Sequence, residues 1–199
     1  MTLPDLERDC WAQLAAALNA GHDGAAGDGF KTLTVATCTA DGADARTVVL
    51  RQVETDRKYV WFHTDARAAK VLEMEAFPNV TLLFWDPTRQ VQLRLKAETR
   101  LHTDDYVADE QWAGLWVGGR KNYLSERTPG TELPAPYPGF PEHLGEALPT
   151  PEESEAGRPN FAVIECRILV MEYLHLSRAG QTRARFAYEP VPRQTWLAP

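Results

Sequence analysis

Residues 91–101 read Val-Gln-Leu-Arg-Leu-Lys-Ala-Glu-Thr-Arg-Leu. Val91, Leu93, Leu95, Ala97, Thr99 and Leu101 alternate with Gln92, Arg94, Lys96, Glu98 and Arg100. A period of two over eleven residues predicts a β-strand with one dry face and one polar face. Working outward, "VTLLFW" (80–85) reads as the preceding strand, closed by Asp86-Pro87, and "YVWFHT" (59–64) as the one before it. "FKTLTVATCT" (30–39) and "ARTVVLR" (45–51) flank Asp41-Gly42, a hairpin signal. A last hairpin is read over "FAVIECRILVMEYLHLS" (161–177) and "TRARFAYE" (182–189), turning at Arg178-Ala179-Gly180.

Helices are set between these strands. Leu6, Cys10, Leu14 and Leu18 recur every four residues over 2–18, with Thr2 as cap and Gly21 as stop. The segment 65–77 reads as a short helix capped by Thr64 or Asp65 and ended by Pro78. Thr103 is placed to cap another over 104–117. Residues 21–29 read as a flexible connection, and 127–160 as a proline-, glycine- and glutamate-rich insertion. An excursion this long is usually functional or mobile. Six or seven strands joined mostly by hairpins tend to close on themselves and hide their edges. The expectation is a mainly β (α+β) single domain over 1–199, an antiparallel β-barrel with peripheral helices, the first of them within residues 1–20.

Bulk properties narrow the function. The 199 residues are 44% hydrophobic and 25% charged, with a net charge of −7. That balance is an ordinary globular one and argues against a nucleic-acid partner, whose phosphates demand basic surface. No stretch reads as a membrane helix, and the N-terminus lacks the basic-then-apolar order of a signal peptide. Cys10, Cys38 and Cys166 are too scattered for a disulfide framework or a zinc site. They read as small core residues of a reduced, cytoplasmic protein. The five histidines are scattered too, and no nucleophile elbow occurs. Residues 114–122, "GLWVGGRKN", miss the phosphate-loop pattern at its lysine and hydroxyl positions. With no self-activated nucleophile in view, a bound cofactor is the expected carrier of any chemistry.

Basic and polar residues interrupt the barrel strands instead. Arg46 and Arg51 bracket Thr47, Val48, Val49 and Leu50; His63-Thr64 ends the next strand; Arg67 and Lys70 follow on the helix; Gln92 and Arg94 lie on the polar face of the fifth strand. Guanidinium forks and a helix N-terminus suit a phosphomonoester, leaving the 47–50 backbone and Gln92 to face an aromatic ring system. Arg46 and Arg51 are an odd number of residues apart. A regular strand would point them to opposite faces, so reaching one ligand needs a bulge or a subunit interface. Isolated strand arginines are otherwise commonly solvated.

The order "RTVVLR … WFHTDARAAKVLE … LLFWDPTRQVQLRLKAETRL", resuming in "RARFAYE … WLAP", resembles the pyridoxamine 5'-phosphate oxidase family of FMN-binding split barrels. The resemblance implies a homodimer with FMN between the subunits and a small-molecule substrate. It places flavin contacts at Arg46 to Arg51, His63-Thr64, Arg67, Lys70, Gln92 (Gln90 if the register slips) and Arg185. It also marks departures. The oxidases carry lysine where Arg51 stands, and arginine and histidine at the positions of Gln181 and Arg183. Their phosphate-binding tyrosine, arginine and serine have no clear match in 104–125. The cofactor site is thus expected to be kept and the vitamin B6 site lost or rebuilt. An FMN-dependent oxidoreductase of unknown substrate is the expectation. Authentic pyridoxamine 5'-phosphate oxidase and a non-catalytic flavin- or haem-binding split barrel are its alternatives.

Overall fold

The computed structural model describes residues 1–19 and 29–199. The connection expected over 21–29, with its Gly21 stop, falls outside the described residues except for Gly29. Helix α1 (Leu3–Ala17) starts at the expected cap, Thr2, which forms a capping box with Asp5. Strands β1 (Thr32–Thr39) and β2 (Gly42–Glu54) form the expected hairpin, and Gly42 supplies the turn with φ +137°. Then come β3 (Tyr59–Asp65), α2 (Ala69–Ala76), β4 (Asn79–Asp86), β5 (Val91–His102), α3 (Tyr106–Gly114) and the single turn α4 (Val117–Arg120). The insertion holds one short α-helix, α5 (Pro151–Glu155), and two 3-10 turns (Glu142–Leu144 and Arg158–Asn160) before β6 (Phe161–His175), β7 (Thr182–Ala187) and β8 (Arg193–Leu197).

Three local readings are corrected. The eighth strand was not expected, because Pro190 and Pro192 precede it and its five residues carry no clean alternation. Helix α2 starts at Ala69 with no side-chain cap, because Asp65 instead accepts from the Arg67 backbone and guanidinium. Helix α3 is capped by Asp105 rather than Thr103.

The strands run β3-β2-β1-β4-β5-β6, all antiparallel, and β3 pairs back onto β6 to close a six-stranded barrel. Strand β6 makes the closure asymmetric. One edge pairs with β5 from Val163 to His175. The other pairs with β3 over Phe161–Arg167 and with β7 over Val170–His175, so β7 and β8 leave the barrel as a wing. A bulge at Leu169, skipped between the Ala97–Ile168 and Lys96–Val170 pairs, marks the change of partner.

Inward-pointing Leu33, Val35, Leu50, Phe62, Leu82, Phe84, Leu93, Leu95, Ile164 and Met171 are all nearly inaccessible. Each contributes about 1.5–3 kcal/mol by leaving water. Leu6, Cys10, Trp11 and Leu14 of α1 join this core, and the Trp11 indole donates to the Tyr188 hydroxyl at 2.9 Å. Cys10 and Cys166 are core residues, but Cys38 is exposed near the hairpin end, which corrects the reading of all three as buried. A second cluster, Trp61, Trp112, Tyr123, Phe161 and Val163, packs α3 and the following turn against the outside of β3 and β6. Among the described residues no helix is long and apolar enough to cross a membrane.

Candidate functional site: the cleft where the barrel splits

Leu50 and Phe62 are the last residues of β2 and β3 in register at this end, while the other edge of β3 pairs with β6 along its whole length, Tyr59–Asp65. Residues 46–49 of β2 keep β1 as their only strand neighbour among the described residues. The Leu50 amide donates toward β1, to the Lys31 carbonyl at 2.9 Å. Alternation along the strand therefore turns the N–H and C=O groups of Thr47 and Val49 to the open edge. The side chains of Val48 and Leu50 face the core, while Thr47 and Val49 face outward.

Across the cleft stand Thr64, buried at the end of β3, and α2. Lys70 Nζ donates to Thr64 Oγ1 at 3.0 Å. Burial lowers the Lys70 pKa, the Arg46 charge lowers it further, and Asp65, Glu73 and Asp44 oppose this. Helix α2 has neither a capping side chain nor an acidic residue in its first turn. Its leading amides and its dipole thus remain available to an anion.

Arg46 shares the core-facing side of β2 with Val48 and Leu50, at the barrel mouth under α2. Its guanidinium donates to Glu73 at 2.9 Å, to Asp44 and to Thr37, whose hydroxyl in turn donates to Glu73. The anions facing Arg46 are therefore carboxylates of its own chain. Arg51 differs. It is the extra residue of a bulge between the Leu50–Phe62 and Gln52–Trp61 pairs, exposed and without a side-chain ion pair among the described residues. The bulge that the odd spacing called for exists, yet the two arginines do not converge. Five residues of strand separate them, about 17 Å.

Arg51 lies near His63, on the outer side of β3. Gln111 Nε2 donates to Gln52 Oε1 at 2.8 Å, so its oxygen is the atom 3.2 Å from His63 Nε2. That nitrogen must carry the ring proton, leaving Nδ1 as a buried acceptor with no partner among the described residues. Burial pushes the His63 pKa down to about 4; the Gln111 bond opposes this and the Arg51 charge adds to it. Arg67 is committed elsewhere. It pairs with Asp65 at 2.7 Å and donates to the Ser125 carbonyl at 3.0 Å, pinning the start of the insertion.

Gln92 and Arg185 belong to a different face. Cross-strand pairs build one outer row of Leu83, Arg94, Glu172, Arg185 and Thr195, and a second of Trp85, Gln92, Leu174, Arg183 and Leu197. Gln90 is in the turn before β5, with φ +53°, so Gln92 is the glutamine of this face. Glu172, only 5% exposed, accepts from Arg185 at 2.7 and 2.9 Å, from Arg183 at 3.0 Å and from Arg94. Burial works against its ionisation, but the bonds from Arg183 and Arg185 and the charge of Arg94 outweigh it and hold the carboxyl at about 2. Around the closed barrel β5 is three strand spacings from β2 by either route, about 14 Å, and Arg185 aligns with Glu172 of β6, ten residues along that strand from the Ala162 that pairs with Thr64, about 33 Å of strand. Glu172, Gln111 and Glu73 are absent from the sequence reading, because only strand register and helix packing bring them to these arginines and this histidine.

The family model for pyridoxamine 5'-phosphate oxidase matches residues 26–133, more than half of the chain. A pyridoxine/pyridoxamine 5'-phosphate oxidase from Kineococcus radiotolerans is 38% identical over 136 residues, 58% of this chain and 60% of that protein. One from Bordetella pertussis is 27% identical over 168 residues, covering 82% and 75%. The chain thus spans about three fifths of the first of these relatives. Among solved structures, a pyridoxamine 5'-phosphate oxidase-related, FMN binding protein from Nostoc punctiforme superposes with a TM-score of 0.69 at 19% identity, covering 96% and 97% of the two chains. PhzG from Burkholderia lata, in complex with tetrahydrophenazine-1-carboxylic acid, gives 0.69 at 17% identity, covering 98% and 92%. At these identities the superpositions establish a shared split-barrel fold.

Proposed function

Because the chain belongs to the pyridoxamine 5'-phosphate oxidase family, we propose that it is an FMN-dependent oxidoreductase, a cytoplasmic homodimer whose small-molecule substrate is not the family's namesake. The cleft between β2 and β3 carries this reading. A half-buried lysine, a buried threonine hydroxyl and an uncapped helix N-terminus line one lip, and open backbone groups line the other. That donor set suits a phosphate at Lys70, Thr64 and the first amides of α2. Arg46, braced by Glu73 and Asp44, borders it. Thr47 and Val49 offer backbone donors and acceptors to the edge of a polar ring. When bound, FMN supplies hydride chemistry; the protein supplies position and electrostatics. His63 stays uncharged at physiological pH and keeps its proton on Nε2.

Gln92 and Arg185 are too far along the sheet to join this cleft from the same chain. In a homodimer the opposing outer faces bring those two residues of one subunit to the cleft of the other. Leu83, Trp85 and Val49, partly exposed on that face, support such an interface. Three free thiols suit a reducing compartment. Cofactor extraction and light scattering test the proposal. The purified protein should be yellow, release FMN on denaturation, and scatter at twice the 22.3 kDa chain mass. Colourless protein that takes up no FMN refutes the cofactor; a monomer that holds FMN refutes the shared site.

The 38% identity to a named oxidase favours authentic pyridoxamine 5'-phosphate oxidation as the second reading. Against it stand Gln181, uncharged and exposed, and Arg183, which cannot present the neutral donor-acceptor ring of a histidine. Pyridoxal phosphate formation by FMN-saturated protein decides between them. Turnover on the order of 1 per second would establish the second reading.

A further inference from the structure

We propose that the pocket between the insertion and the barrel is a binding site for an organic ammonium ion with an aliphatic body, its charge held by Glu126 and Glu153. The pocket encloses about 460 Å³, the size of a small-molecule site. Its floor is apolar: Leu124 and Leu144 are buried, and Pro141 and Ala156 stand beside them. Its walls are tied down. Arg67 donates to the Ser125 carbonyl at 3.0 Å, Asn160 to the Tyr123 carbonyl at 2.8 Å, and Lys121 to the Gly145 and Ala147 carbonyls at 2.6 and 2.8 Å. Arg120 holds α5 through Glu155 at 2.5 Å. A ligand therefore meets a formed cavity, and little ordering of the protein opposes its binding.

The charges select the ligand. Arg67 is answered by Asp65 at 2.7 Å, so its guanidinium carries no uncompensated charge into the pocket. Glu126 is exposed and has no ion pair among the described residues. Glu153 is oriented by its capping box: one oxygen accepts from the Thr150 amide at 2.7 Å, and the other lies 3.6 Å from His143 Nε2. Even with His143 charged, Glu126, Glu153 and Asp65 set three carboxylates against the two cations of Arg67 and His143. Residues 127–160 add six glutamates and two arginines, a negative field that favours a cation. The Asn160 side-chain oxygen is a further acceptor, since its amide nitrogen serves Tyr123. An anion would meet repulsion here. A metal ion would lack ligands, because no group of three His, Cys, Asp or Glu suited to one occurs among the described residues. A primary ammonium brings three donors to these acceptors, and an alkyl chain covers the leucines. Neither Glu126 nor Glu153 belongs to the cleft between β2 and β3, so the site stands independently of the flavin.

Calorimetric titration of the purified protein near neutral pH with hexylammonium, hexanol, hexanoate and methylammonium, with FMN content read by absorbance, tests the proposal. Hexylammonium should bind roughly tenfold or more tightly than hexanol and hexanoate, through its charged hydrogen bonds, and than methylammonium, through its chain. Glu126→Gln and Glu153→Gln, the latter keeping the capping box, should each weaken hexylammonium roughly fivefold. Glu98→Gln on β5, the partner of Arg167, should not. Ala156→Phe fills the pocket from its exposed rim, should abolish binding, and serves if Glu153→Gln does not fold. Equal affinity for any of the other three probes, undiminished binding in the glutamate variants and in Ala156→Phe, or no binding of any probe overturns the site. Competition between hexylammonium and FMN would move the amine to the cleft and overturn it too. Hexylammonium binding by a protein that takes up no FMN would uphold the pocket and refute the cofactor reading alone.

Discussion

Replacing Glu172 with glutamine keeps the shape of the side chain and removes the charge on which three arginines converge. The carboxyl is held at about 2, against 4.5 for an unperturbed glutamate. A difference of that size corresponds to roughly 3 kcal/mol of folding stability near neutral pH. A folded-state pKa below the unfolded one means the stabilisation is complete above the unfolded value and is lost as pH falls through the folded one. The window therefore runs from about pH 4.5 down to about pH 2. Glu172→Gln should lower the urea midpoint at pH 7 by the equivalent of about 3 kcal/mol, consistent with breaking a buried ion pair. The gap between wild type and variant should shrink below half by about pH 3, because the wild-type carboxylate is then losing the same charge. A variant within about 0.5 kcal/mol of wild type at pH 7, or a gap that stays constant with pH, would refute the view that this carboxylate holds the arginine face together.

Other outcomes can be checked more directly. Lys70→Met should weaken FMN binding by about 1.5–3 kcal/mol, read by flavin fluorescence quenching, and Arg100→Gln should not; equal affinities would move the phosphate away from α2. His63 should titrate near 4 by NMR, with its neutral ring protonated at Nε2. Its folded pKa lies below the unfolded 6.5, so its contribution to stability is present above pH 6.5 and lost as pH falls through about 4. His63→Gln should flatten that part of the stability profile. Arg46→Ala should destabilise the fold by about 1–3 kcal/mol even without flavin, since it strips the partner from the half-enclosed Glu73; unchanged thermal unfolding would contradict the bracing role.

Much of the barrel is legible in the chain because strands announce themselves locally. The alternation of 91–101 appears in the structure as Val91, Leu93, Leu95 and Ala97 buried against Gln92 and Arg94 at the surface. The Asp41-Gly42 turn and the Thr2 capping box are likewise local chemistry, settled within four residues. β8 escaped notice because a five-residue wing strand needs only β7 beside it, not an alternating core face.

The site divides in the same way. Residue types and their order pointed to an anion, a ring and the family that binds both. Which charges are spent and which are free was decided by register and packing. Val35 opposite Arg46 puts that arginine under α2, within reach of Glu73, a residue 27 positions away. A one-residue bulge leaves Arg51 beside His63 with no ion pair among the described residues. Glu172 meets Arg94 only because β5 and β6 align 78 residues apart in sequence. Charge pairing acts over a few ångströms of space. A one-dimensional pattern reports neighbours along the chain, so it can name the charged residues but not their partners.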